Sequence, residues 1–235
     1  MKLLYLYINI CSIIVPFLVT FHPRLKFYKK WKALVLSIVL SGSCFILWDV
    51  YFTKIGVWGF NSNYYLGYKI GNLPIEEWLF FISIPYACVF THYALIELFP
   101  NLSVNKLAGR LITMMLFFSS LSILFFNYNK LYTCVNFSVF FIVLLLVYSF
   151  NKKLLYQFYK TFLLMLIPFF IVNGILTGTG IIDEVVWYND LENLGIKMIT
   201  IPIEDAFYAF SLLLLNVFLV EFFQKKVFCR KLYLR

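Results

Sequence analysis

Charge is scarce in this chain: of 235 residues only 13% are Asp, Glu, Lys or Arg, against about 25% in ordinary soluble domains. Histidine occurs twice, and the five cysteines (Cys11, Cys44, Cys88, Cys134, Cys229) form no C-x-x-C pair. That excludes a zinc ribbon and offers no disulfide framework, so the thiols read as small hydrophobes. No G-x-G-x-x-G is present for a tightly held flavin or nicotinamide, and no D-x-x-x-D pair for a magnesium diphosphate. The last apolar run holds no lysine for a retinal Schiff base. These gaps remove redox enzymes of the dinucleotide-binding type, prenyltransferases and retinal proteins. Neither a cofactor nor a metal is expected.

Apolar side chains are what the sequence has in excess. Hydrophobic residues make up 63% and aromatics 21% (28 Phe, 17 Tyr, 5 Trp), with a mean hydropathy of +0.86. Too little polar side chain remains to cover a water-facing surface, which leaves an integral membrane protein. A spanning helix needs about 20 apolar residues, and seven runs qualify: 3–21, 33–51, 74–99, 107–127, 132–150, 161–177 and 202–223. The first is of full span length and lacks a small-residue cleavage site, so it reads as a helix rather than a signal peptide. The expected fold class is an all-α, multi-pass bundle of seven transmembrane helices.

Seven crossings sort the loops into two sets. One set and the tail carry fifteen basic residues, among them Arg24, Lys26, Lys29, Lys106, Arg110, Lys152 and Lys225; the other carries five. Basic loops stay cytoplasmic, which predicts an N-terminus outside and a C-terminus inside a cell membrane. The net charge of +9 is then a topology signal and a lipid-facing surface, and no nucleic-acid partner is expected. Nine of the eleven acids fall on the outer side together with the two long loops, so chemistry is expected there.

The chain also repeats itself. Gly71-Asn72-Leu73-Pro74-Ile75-Glu76-Glu77 opens the third run, and Ile199-Thr200-Ile201-Pro202-Ile203-Glu204-Asp205 opens the seventh, 128 positions later. Asp49-x-x-x-Thr53 matches Asn173-x-x-x-Thr177, and Val57-Trp58 matches Val186-Trp187, in the same order. The division is a three-helix unit at 1–99, a linking helix at 100–130, a second unit at 131–223 and a basic cytoplasmic tail at 224–235. Because one helix joins the units, both start on the same side, making the repeats parallel about an axis near the membrane normal, unlike inverted transporter repeats. Both acidic helix starts then lie at one depth and can face a common cavity.

Proline in the first turn, followed by acids, is by itself a good helix start. Its recurrence, at the mouth of spans that hold almost no other charge, makes it a site hypothesis. A carboxyl in an apolar pocket loses hydration, which favours its neutral acid form, and a second carboxyl facing it pushes the same way. Such an acid can protonate a carbon–carbon double bond, with aromatic faces available to the resulting cation.

Trp48-Asp49…Thr53…Gly56-Val57-Trp58 and Gly71-Asn72-Leu73-Pro74-Ile75-Glu76-Glu77-Trp78-Leu79-Phe80-Phe81, with the second P-I-E-D set, resemble the membrane lycopene cyclases in their tandem-fused form. The resemblance implies an isomerase of carotenoid biosynthesis that closes the ψ-ends of lycopene, or a related linear carotenoid, into β-rings (gamma-carotene, then beta-carotene) with no net redox change. It implies Glu76, Glu77, Glu204 and Asp205 as the matching carboxylates, with Asp49 and Asn173 as substrate-side polar partners. Successive helix residues point about 100° apart, so one acid of each pair aims at the centre. Glu76 and Glu204 are expected to be the acid/base pair, with Glu77 and Asp205 supporting them or exchanging roles with them. Trp58 and Trp187 are expected as interface anchors, and His92, too far along its helix for a dyad with Glu76, as an interhelical histidine. A non-catalytic carotenoid-binding or assembly subunit and a carotenoid hydratase acting on the same cation are the alternatives. Membrane lipid and other carotenoid-pathway membrane enzymes are the expected neighbours.

Overall fold

The computed structural model describes residues 1–232, with side chains through Lys225. Seven helices form, as the apolar runs require: α1 (Leu4–Val19), α2 (Trp31–Ile55), α3 (Ile75–Leu98), α4 (Lys106–Phe126), α5 (Leu131–Phe150), α6 (Lys152–Leu176) and α7 (Ile203–Leu232). Six of them are long and apolar enough to cross a membrane. The first is shorter than expected: its 16 residues span about 24 Å at 1.5 Å each, less than a hydrocarbon core of about 30 Å. It stops where Thr20 Oγ1 turns back on Pro16 O at 2.9 Å.

The sixth helix differs in the other direction. It starts at Lys152, not near 161, because Asn151 caps it by accepting from Leu154 N at 3.2 Å. The basic loop expected to hold Lys152, Lys153 and Lys160 is therefore the first turns of α6, which bury Leu154, Leu155 and Phe158 on the inner face. Cys11, Cys44, Cys88 and Cys134 are free thiols. Cys229 and the other tail residues beyond Lys225 lie outside the described side chains, and 233–235 lie outside the described residues.

Packing pairs α1 with α3, α5 with α7 and α2 with α7, while α4 lies against the outside of α5. The core is an aromatic and branched-chain cluster that includes Phe137, Phe140, Leu144, Phe158, Leu214 and Val217. Helices in lipid gain little from apolar contact and lean on small and polar residues instead. Here Ser37 and Ser41 of α2 donate to Asn216 Oδ1 of α7 at 2.8 and 3.0 Å.

The two long loops are not irregular throughout. Trp58–Phe60 (β1) pairs antiparallel with Val186–Tyr188 (β4). Lys69–Ile70 (β2) pairs with Leu73–Pro74 (β3), and Lys197–Met198 (β5) with Ile201–Pro202 (β6), each ending at a helix start. The first hairpin turns through Gly71 at φ +66°, and the second through Ile199 at φ +64°. Only glycine holds that conformation freely, and a β-branched side chain costs about 1–2 kcal/mol there. Glycine's extra unfolded-state freedom costs about 0.5–1 kcal/mol in return. Ile199 is exposed, so Ile199→Gly is expected to raise stability by about 0.5–1 kcal/mol, read as a higher midpoint in thermal unfolding of the detergent-solubilised protein.

Candidate functional site

The two hairpins fix the acidic helix starts. Ile75 N donates to Tyr68 O at 3.0 Å, and Ile203 N to Ile196 O at 3.0 Å, tying each first turn to its own loop. Glu76 Oε1 accepts from Leu66 N at 2.8 Å. Glu204 Oε1 accepts from Leu194 N and Thr133 Oγ1, both at 2.7 Å. The backbone oxygens of the same glutamates accept from Asn9 Nδ2 at 3.0 Å and Asn136 Nδ2 at 2.6 Å. Glu76 and Glu204 are fully buried but do not line the cavity.

Their neighbours do. Glu77, Asp49 and Asp205 converge on one cavity of about 630 Å³. The adjacent acids do point different ways: Glu77 and Asp205, expected to support the first acids or exchange roles with them, face inward, and Glu76 and Glu204 are turned to the loops. Unpaired loop N–H groups beside each helix start draw the first acid of the pair, which leaves the second for the interior. Tyr5 O–H donates to Glu77 Oε2. In the second half Tyr132 O–H donates to Asp205 Oδ1, and Tyr188 O–H to Oδ2 at 2.9 Å. Apart from the Thr133 and Tyr188 bonds, each of these contacts has a counterpart 127 or 128 positions away.

Asp49 lines the cavity as expected and is 3% exposed. Trp58 Nε1 donates to its Oδ1 at 2.5 Å and Thr53 Oγ1 at 3.2 Å. Its Oδ2 finds no N–H or O–H donor and shares the cavity with the Glu77 carboxyl. A carboxylate only accepts, so two acids facing one cavity attract each other only where one of them carries a proton. Asn173 also lines the cavity, where its side chain makes a weak bond to Phe169 O at 3.4 Å.

Trp58 departs from its expected place at the membrane interface. It is buried against Tyr132, with ring centroids 5.1 Å apart. Strand alternation explains this: in the β1–β4 pair, Trp58 and Tyr188 face the acids, while Gly59 and Trp187 face away. Trp187, which stays exposed, lies so close over Gly59 that a Cβ there would come within 2.4 Å of Cζ2. Burial, ahead of the Asp205 charge, holds the Tyr188 phenol well above its ordinary pKa, so it remains a donor to Asp205. His92 is interhelical as expected, 2.8 Å from Thr161 Oγ1.

Tyr5 and Tyr132 were not singled out in the sequence. Their signal was there: Leu4-Tyr5-x-x-x-Asn9 and Leu131-Tyr132-x-x-x-Asn136 repeat at 127 positions, within runs too apolar for a tyrosine to stand out.

A family model described as lycopene cyclase matches residues 2–95 and 129–223. The chain belongs to the lycopene cyclase family. It is thus a membrane enzyme of carotenoid cyclisation, and each of its two matched segments holds a cavity carboxyl bound by tyrosine, with α4 in the unmatched stretch between. No curated protein and no solved structure matches the chain. In this cyclase the loop-bound glutamates are expected to be structural. Glu76→Ala and Glu204→Ala each strand a loop N–H, at a cost of about 1–3 kcal/mol, whereas glutamine keeps an accepting oxygen. Detergent unfolding should show a lower midpoint for the alanine variants and a near-normal one for the glutamine variants.

Proposed function

We propose that this cyclase closes the ψ-ends of lycopene into β-rings by acid/base catalysis, with Glu77 as the acid. The observation that carries the reading is the convergence of Glu77, Asp49 and Asp205 on one largely apolar, aromatic-lined cavity. Glu77 and Asp49 face the same cavity, and a proton carried by Glu77 is the one transferred. Delivered to the terminal carbon–carbon double bond, it leaves a carbocation. The neighbouring double bond attacks that centre, forming the ring's new carbon–carbon bond and moving the positive charge onto the ring. Loss of a proton from an adjacent ring carbon restores a double bond, so atoms and electrons balance without an oxidant.

Asp205 suits the accepting role, because both its oxygens already receive O–H bonds from Tyr132 and Tyr188, the arrangement that favours a carboxylate. Phe80, Phe81, Trp58 and Tyr208 turn aromatic surface to the cavity, and such faces stabilise a nearby cation. Glu76 and Glu204 hold the loops that close the site. The halves are read as parallel repeats, supported by hydrogen bonds matched at 127 or 128 positions. The excess of basic residues on one set of loops supports an N-terminus outside and a C-terminus in the cytoplasm.

Pigment chromatography of lycopene-making cells tests this. Cells carrying the wild type should accumulate cyclised carotenoid. Glu77→Gln and Asp205→Asn should lower ring formation by about 10²-fold or more, the scale of a lost acid or base. Glu76→Gln and Glu204→Gln should retain it within about tenfold. Unchanged lycopene with the wild type would support a binding subunit, and hydroxylated acyclic product a hydratase.

A further inference from the structure

The cavity is long rather than round. On α3 it is lined at Glu77, Phe81, Ile84, Cys88 and Thr91, a spacing of four, three, four and three that keeps one helix face. From Glu77 to Thr91 is about 21 Å at 1.5 Å per residue. On α1 the lining runs Leu4, Ile8, Cys11, Val15, and on α6 it runs Met165, Pro168, Val172, Ile175. Three parallel stripes make a channel along the helix axes. Its outer end is closed by the β1–β4 pair, through Trp58, Phe60, Val186 and Tyr188, and the carboxyls sit beneath that cover.

One side of the channel is open. Tyr7 and Val15 of α1 and Ile171 of α6 line it, yet are 55%, 62% and 60% exposed. Across the channel Phe81, Leu212 and Leu213 line it at 2%, 2% and 4%. The opening therefore follows the α1–α6 seam, which faces acyl chains, not water.

Building on the cyclase reading, we propose that the channel holds a linear polyene upright, its end group at Glu77, loaded sideways from the bilayer between α1 and α6. A rod-shaped hydrocarbon with no headgroup fits a greasy channel capped at its acidic end. A phospholipid chain entering there would have to leave its headgroup in the apolar seam.

Two readouts test the proposal in the full-length enzyme reconstituted in vesicles. Cys11 sits at the seam, so lycopene should slow its labelling by a membrane-permeant maleimide about tenfold or more, and Cys11→Ser should lose that label. Thr91→Trp plugs the inner end. It should shift the kcat/KM preference away from lycopene, toward a short acyclic isoprenoid with the same end group, by about tenfold. Turnover of the short compound shows that the variant folds. Labelling of Cys11 indifferent to lycopene, or an unchanged preference in Thr91→Trp, overturns the channel. Protection of Cys11 without ring formation by the wild type would instead keep the channel and refute the cyclase reading.

Discussion

Two neighbouring acids on a helix point about 100° apart, and everything at this site follows from that divergence. Each acidic pair opens a buried helix beneath a hairpin loop whose N–H groups need acceptors. Glu76 and Glu204 turn to Leu66 N and Leu194 N; Glu77 and Asp205 are left with the interior. Neither acid could be spared. Without the first the loop keeps only its backbone ties to the helix start, and without the second the cavity has no acid on that helix. A hairpin ladder of only two residue pairs on each side would be a weak cover if the buried glutamate did not bind it.

The halves share this plan but differ where it matters chemically. In the first, Glu77 meets Tyr5 and a second carboxyl, Asp49. In the second, Asp205 meets two tyrosines, and Asn173 stands where Asp49 stands. A carboxyl beside a carboxyl can hold and release a proton, while a carboxyl between two phenols is equipped to accept one. The duplicated tryptophans part in the same way: Trp58 goes inward to Asp49, and Trp187 outward over Gly59. On the proposed mechanism, this asymmetry would give acid and base separate addresses within one chamber, as proton delivery and removal at different carbons require.

Much of this was legible in the sequence, because lipid imposes strong rules. The apolar runs located all seven helices, and the P-I-E repeat located both carboxylate-bearing starts. Helix ends were less legible. The Lys152–Lys160 stretch looked like a loop by charge, but Asn151 capping and the buried Leu155 and Phe158 keep it helical. Which acid of each pair faces inward depends on loop N–H groups ten residues upstream, whose position no local pattern reveals. Likewise the inward turn of Trp58 comes from pairing with a strand from the other half, Val186–Tyr188, a long-range contact invisible to a reading of motif composition.

The central claim is that Glu77, not Glu76, delivers the proton that starts ring closure. Counting deuterium in rings formed in heavy water, by mass spectrometry of the isolated pigment, tests it most directly. The account predicts one deuterium per new ring for the wild type and for Glu76→Gln, and no labelled ring from Glu77→Gln. Labelled rings made by Glu77→Gln but not by Glu76→Gln, or unlabelled rings from the wild type, would contradict it.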